Sequence, residues 1–573
     1  MAAKHPLRLV LMWHMHQPDF RDLATGEFAH PWVYLHAIKD YADMAAHLEN
    51  HPQVHAVVNL VPILLDQLED YCDQFDSGKL RDPLLRLLAR ENLERSSDAE
   101  RELILNQCFR ANHGKMIEPY TPYKRLRDLY QSVIALGGDP VRYLSGEYLS
   151  DLLTWYHLSW MGETVRRKEE CVVQLMTRGE RFTHADRMRV FELIGRLVKD
   201  VIPRYRRLAD SGRVELSTTP HYHPIGPLLL DFGSARETVP DAPLPAADHY
   251  SGGRSRITWH LSSAQESHRR RFQADALGIW PAEGALSAPF LKLLSEHKVG
   301  WTASGEAVLT NTLRQTGLPI AERNAFLYRP YALQNEGHRL YCFFRDDRLS
   351  DLIGFEYKGW HGKDAAAHFI AELESIHAAA SADQPPVVSV ILDGENAWEF
   401  YPYNAFYFLD DLYRALESHP SIQTATFAQI LADPAPGVRV PSDVVRTLPP
   451  LVAGSWVYGN LQTWIGSEPK NRAWDLLASA KQSYNLVMAS GRLSEPDMQA
   501  ATTQLAICEG SDWYWWFGDY NPPEAVSVFD RLFRANLANL YRLLQLPAPA
   551  QLSEPISRGG GHPDLGGAMR RAA

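Results

Sequence analysis

VVSVILDGENAWEFYP (387–402) decides how the chain reads. Residues 387–392 form a short apolar run that closes on Asp393, with Glu395 two positions further on. An apolar run without polar alternation is a strand buried on both faces, as in a parallel sheet. Carboxylates at its C-terminal end stand where a β/α barrel carries its chemistry. The apolar strand beneath them can raise a pKa. Trp398, Phe400 and Tyr401 add flat surface beside the acids.

The same pattern recurs along the chain. Apolar runs at 7–13, 54–58, 214–216, 277–280, 299–301 and 340–344 each lead into polar or acidic residues. With 387–392 they make seven strands, and 424–427 is a possible eighth. Helical patterns at 37–48, 191–208, 264–276 and 365–379 lie between several of them. Strands alternating with helices point to the α/β class, as a sheet or barrel. The stretch 77–179 departs from this rhythm and reads as a helical insertion, with two segments amphipathic at the 3.6 period. The Pro-, Gly- and Asp-rich stretch 226–255 reads as a long loop. Residues 432–450 are Pro-rich and mark a boundary. The expected organisation is a barrel over 1–435, a mainly helical C-terminal domain over 450–550, and a Gly-rich disordered tail over 555–573.

Composition narrows the function. The 573 residues carry 58 Lys+Arg against 69 Asp+Glu, a net charge of −11, which argues against a nucleic-acid partner. No run is long and apolar enough for a signal peptide or membrane span. The five cysteines have no CxxC spacing, so a disulfide framework is not expected and a reducing, cytoplasmic setting fits. The 15 Trp are the unusual entry in the composition. Trp is a demanding core residue because its N–H needs a partner. Trp13, Trp280, Trp398, Trp456, Trp464, Trp513, Trp515 and Trp516 lie beside candidate site residues or just past the Pro-rich boundary. They are expected to stack on flat ligands such as sugar rings, whereas Trp155 and Trp160 are expected in the core.

Four further motifs could carry chemistry. In WHMHQP (13–18), His14 and His16 fall on one side of a strand. There, with Gln17, they can bind a metal or hydrogen-bond a substrate. In GRVELSTTPHYHP (212–224), Glu215 lies inside an apolar strand and must find partners, because an unpaired buried charge is costly. It can position a neighbour or bind a sugar hydroxyl, and His221 and His223 follow it. In GIWPAEGALS (278–287), Pro281 stiffens the turn that holds Glu283 beside the Trp280 indole, an arrangement suited to a glycosidase nucleophile. In CEGSDWYWWFGD (508–519), Asp512 precedes Trp513 and Trp515. An acid beside an aromatic platform is typical of carbohydrate contact.

In this order the motifs resemble glycoside hydrolase family 57, over about residues 7–546. His16-Gln17-Pro18, Gly212 to Leu216, Trp280 to Glu283, Asp393-Gly394-Glu395 and Asp512 match the family's five regions. Region five departs most, with Ser511 where better-known members have Asn. The resemblance implies a (β/α)7 barrel followed by a helical domain that completes the site. It also implies a retaining enzyme of α-glucans (starch, glycogen, maltooligosaccharides), with Glu283 as nucleophile and Asp393 as acid/base. Its remaining site residues would be His14, His16, Gln17, Glu215, His221, His223, Trp280, Glu395, Trp398, Asp512, Trp513 and Trp515, and it calls for no metal or organic cofactor. Segments at 59–68, 221–229 and 343–355 look more like the α-amylase and amylopullulanase side than the branching-enzyme side, whose C-terminal part is usually longer. 4-α-Glucanotransferase or branching activity on the same site is the alternative. From other classes, a metal-dependent barrel hydrolase would use His14, His16, His221, His223 and Asp393 as ligands, and a third reading is a non-catalytic glucan-binding protein.

Overall fold

The computed structural model describes residues 5–135, 137, 140–320, 322–381, 385–432 and 445–561. Strand β1 (Leu7–Met15) is buried along its whole length, as its unbroken apolar run requires. It pairs in parallel with β2 (Ala56–Leu60) on one side and with β7 (Val387–Asp393) on the other. β2 continues into parallel β3 (Val214–Ser217). The ring then passes through residues 278–280, where Thr218 bridges Ile279 and Gly278 bridges Trp301. It closes through β4 (Trp301–Gly305) and β6 (His338–Arg345), which reaches β7 at the Arg345–Ser389 pair. Seven parallel members therefore form a barrel, in the places the apolar runs predict.

β5 (Tyr331–Asn335) is a hairpin partner of β6, outside the ring. β8 (Ile422–Thr424) pairs with the lower end of β1, and β9 (Arg446–Thr447) with β5. The possible eighth strand at 424–427 is therefore corrected. β8 stops at Thr424, and Thr426 caps a helix over Phe427–Leu431 with a capping box completed by Gln429. That helix plugs the barrel floor, with Phe427 packed on Trp301 and Phe343 at ring distances of 4.4 and 4.3 Å.

Side-chain alternation sorts each strand. On β1, Leu7, Leu9, Leu11, Trp13 and Met15 face the surrounding helices, while Val10 and Met12 fill the barrel with Val57, Ile391, Ala303 and Phe343. His14 is the next inward position. Its register partners are Asn59 and Asp393, so the polar residues form the top layer of the barrel.

The stretch between β2 and β3 is helical from Pro62–Ser77 to His184–Asp210. Its Gly146–Trp160 helix is buried on nearly all sides. The expected loop at 226–255 contains a short helix, Gly226–Leu230, and a 3-10 turn, Phe232–Glu237. After the barrel come helices Glu468–Ser490, Glu495–Cys508, Asp512–Trp516 and Pro523–Leu543, within the mainly helical region expected over 450–550. The Pro-rich boundary falls largely on 433–444, outside the described residues. The expected tail also runs mostly beyond them. Its first part is packed instead of loose: Ile556 and Ser557 are buried and both backbone N–H groups donate to Asp530. No helix among the described residues is long and apolar enough to cross a membrane, and the five cysteines are unpaired.

Candidate active site

The barrel's C-terminal mouth opens into a cavity of about 210 Å3. His14, His16, Gln17, Glu283, Asp393, Glu395, Asp512 and Trp515 all line it. These eight sequence-predicted residues come from three barrel loops and the helical region, and the fold brings them to one place.

Glu283 sits in a turn built to present it. Pro281 precedes it, and both Glu283 and Gly284 take left-handed backbone angles, φ 58° and 60°. A non-glycine residue in this region is strained, and such strain collects at functional sites. A Cβ at 284 would lie 2.8 Å from the Trp280 ring, so glycine is needed there. Trp456 then clamps the acid twice. Its backbone N–H donates to the Glu283 carbonyl at 3.1 Å, and its indole N–H donates to Glu283 Oε2 at 2.9 Å. Arg345 lies over the Trp456 ring at 5.2 Å.

Asp393 closes β7. The next residue, Gly394, donates its N–H to the His14 carbonyl at 2.6 Å, and a Cβ there would be 2.9 Å from Met15. The Asp-Gly-Glu turn is thus pressed against the end of β1. Asn396 donates to Asp393 at 2.8 Å. Glu395 turns inward, accepts the His16 N–H at 3.3 Å, and keeps a buried Oε2 without a partner.

Burial pushes the Glu283 carboxyl up to about 8, and the charge of Asp393 adds to the shift while the Trp456 N–H opposes it. Burial raises Asp393 as well, against Asn396, His16 and Arg345. Both carboxyls are thus harder to ionise than free ones, and charge on Asp393 opposes charge on Glu283. Burial also pushes Glu395 well up, with Asp393 adding to it. His14 is held down to about 3 and His223 well below its usual range, mainly by burial, so both rings are neutral at pH 7.

The histidines form a stack. His16 and His223 lie 3.9 Å apart, and His14 stands 5.3 Å from His223. Asn59 fixes His14 by accepting from Nδ1 at 2.7 Å. His16 Nε2 donates to Asp512 at 2.9 Å. His223 Nδ1 is hydrogen-bonded to Ser511 Oγ at 2.8 Å, so the residue that departs from the family pattern locks a site histidine. Among the described residues His16, His223 and Asp512 have donor atoms within 4.8 Å of one another, close enough for a metal. The five-residue ligand set of the metal reading is not assembled, because His221 is held outside the cavity by Asp66 and Ser263.

Other expectations need correction. Glu215 does not reach the mouth. It lies one inward layer lower, level with Val57, where it accepts from Trp301 Nε1 at 2.6 Å and from the Ala428 N–H at 2.8 Å. It ties β3 to β4 and to the floor helix, and burial pushes it up to about 7. Trp280 is fully buried beneath Trp456. Trp398 is buried and donates to the Gly394 carbonyl, and Trp513 is buried and donates to the Ile507 carbonyl. Trp13 and Trp464 are core residues too. Of the expected stacking residues Trp456, Trp515 and Trp516 do line the cavity, and Trp32 and Trp160 join them. Trp32 and Trp160, with Arg110 and Lys39, come from the helical stretches flanking β2. Trp160 is buried in the core, as expected, and also lines the cavity.

A pair of buried acids in a cavity lined by indoles suits the breaking and making of glycosidic bonds. That class is matched by kinship. The chain belongs to glycosyl hydrolase family 57, whose model matches residues 10–441. No curated protein matches it. Among solved structures it is similar to a branching enzyme of Thermococcus kodakaraensis, at TM-score 0.55, 14% identity and 94% and 90% coverage of the two chains. An α-amylase of Thermotoga maritima matches at 0.55, 12%, 96% and 94%. A branching enzyme of Pyrococcus horikoshii matches at 0.53, 15%, 98% and 98%. At such identities these likenesses speak for the fold.

Trp456→Phe keeps an aromatic ring and removes the N–H that favours ionised Glu283. Loss of one hydrogen bond to a charged group is expected to lower kcat/KM about ten- to hundredfold. The acid limb of the pH–rate profile should move to higher pH, because Glu283 becomes harder to ionise.

Proposed function

We propose that the protein is a retaining glycosidase of α-glucans, with Glu283 as nucleophile and Asp393 as acid/base. The observation that carries this is the pair itself: two buried carboxyls on facing parts of one barrel mouth, one clamped by an indole N–H that favours its charged form. Family membership and the glucan-active relatives support the substrate class.

In this reading Asp393 protonates the departing oxygen while Glu283 attacks the anomeric carbon. Asp393 then takes a proton from the incoming water or sugar hydroxyl. His14, His16, Gln17, Glu395 and Asp512 hold hydroxyls of the ring at the cleavage point. Neutral His14, whose Nδ1 proton is held by Asn59, presents Nε2 as an acceptor without adding charge, and the free Oε2 of Glu395 is available to a hydroxyl. Trp456 and Trp515 supply stacking faces. His223 acts through His16 as a support. A reducing compartment suits the unpaired cysteines.

The rim of five indoles also favours a second reading, transfer to an acceptor glucan held by stacking in place of water. Length does not separate the two, since the chain covers 98% of a branching enzyme. Incubation with maltooligosaccharides and with pullulan, followed by product sizing, decides. Accumulating short sugars are expected. Products longer than the starting sugar would establish transfer, and no turnover of any α-glucan would overturn the proposal.

A further inference from the structure

A second cavity, of about 240 Å3, adjoins the first. Lys39 and Glu399 line both, so the two spaces meet at this pair. Its outer wall is the remainder of the loop that begins at Asp393, with Tyr401, Tyr403 and Asn404. Tyr120, from the helical insertion, lies across from them.

Three features mark it as a built site. Tyr403, Asn404 and Ala405 are consecutive non-glycine residues with left-handed backbone, φ 53°, 53° and 60°. Such a run is rare and needs the surroundings to hold it. Asn404 is that anchor: its Nδ2 donates to Asp43 at 2.9 Å. The strained turn leaves the Tyr403 ring 56% exposed at the cavity edge. Asn404 itself is buried, 7% exposed, yet its Oδ1 has no partner. A buried acceptor on a cavity wall is satisfied by a donor that enters the cavity.

The charges indicate what kind of donor. Lys39 is paired with Asp40 at 2.7 Å, and Arg166 with Glu163 at 2.7 Å. The remaining charged residues of the lining are Lys115 and Glu399, one of each sign. The cavity therefore favours a neutral molecule that offers hydroxyl donors and a flat apolar face. A glucosyl unit has both.

We propose that this second cavity is a distal glucan subsite, holding glucosyl units of a chain whose reacting bond lies between Glu283 and Asp393. Tyr403 stacks on a ring, Asn404 Oδ1 accepts a hydroxyl proton, and the chain crosses the Lys39–Glu399 divide. This rests on the α-glucan reading above. It makes the enzyme sensitive to chain length, because maltose fills the first cavity only and a longer chain reaches both.

The test uses protein silenced by Glu283→Gln, with glucan binding measured by calorimetry. Maltoheptaose should bind more tightly than maltose. Adding Tyr403→Ala should weaken maltoheptaose about tenfold and maltose less than about twofold, whereas Tyr403→Phe should keep maltoheptaose within about twofold. Tyr403 is exposed, so its truncation leaves the core intact. Equal losses for the two sugars, or no loss for maltoheptaose, would overturn the subsite. Absence of binding to any α-glucan by the silenced parent would overturn the α-glucan reading itself.

Discussion

Glu283→Ala should lower kcat on an α-glucan by about four orders of magnitude or more, and Asp393→Ala should do the same for unactivated substrates. The two losses have different chemistry. Without Glu283 no covalent intermediate forms, so added azide attacks from the face the carboxylate occupied and gives the β-glycosyl azide. Without Asp393 the leaving group departs unaided. A substrate with a good leaving group then still forms the intermediate, and azide resolves it to the α-glycosyl azide. One azide anomer for each variant separates nucleophile from acid/base. Near-wild-type turnover in either variant would remove that residue from the mechanism.

The second large effect lies outside the cavity. Glu509 is fully buried at the junction between barrel and helical region. It accepts from Arg256 at 2.8 Å, His260 Nε2 at 2.8 Å and the Tyr250 hydroxyl at 2.5 Å. Burial alone would raise its carboxyl, but Arg256 and His260 hold it down to about 2. Glu509→Ala leaves Arg256 buried and unpaired and should cost about 3–5 kcal/mol, read as a lowered unfolding midpoint. The site should suffer too. His260 receives the His221 N–H, and Ser511, two residues after Glu509, bonds both the carbonyl and the ring of His223. The pH dependence has a definite sign. A depressed carboxyl contributes fully above its ordinary 4.5, and the contribution is lost as pH falls towards 2. The variant should therefore lose less stability than the parent on acidification through that window. An unchanged midpoint at neutral pH would show that the network carries no stability.

The barrel was readable because doubly buried strands leave continuous apolar runs. The place of Asp393 and Glu283 at the barrel mouth was readable because both follow the ends of such runs. Residues 278–280 show how little is needed: three residues complete the ring through bridges that only the closed fold supplies. The tryptophans were sorted wrongly where sequence neighbourhood stood in for direction. Trp513 and Trp515 are two apart on a helix and cannot share a face, so one is buried and the other meets the cavity. Glu215 obeys strand alternation and points inward, but one layer too low. Trp32, Trp160 and Arg110 reach the rim by tertiary folding of the helical stretches, and no local pattern announces it. Nor does any glycine mark the left-handed turn at Tyr403, because packing around Asn404 imposes it.

The central claim is a covalent glycosyl-enzyme on Glu283. The direct measurement is mass spectrometry of Asp393→Ala protein after brief reaction with α-maltosyl fluoride, whose leaving group needs no acid. One maltosyl adduct is expected, on the peptide spanning 278–287 at Glu283, and it should disappear on adding azide. An adduct on another residue, or fluoride release with no adduct at any time, would contradict it.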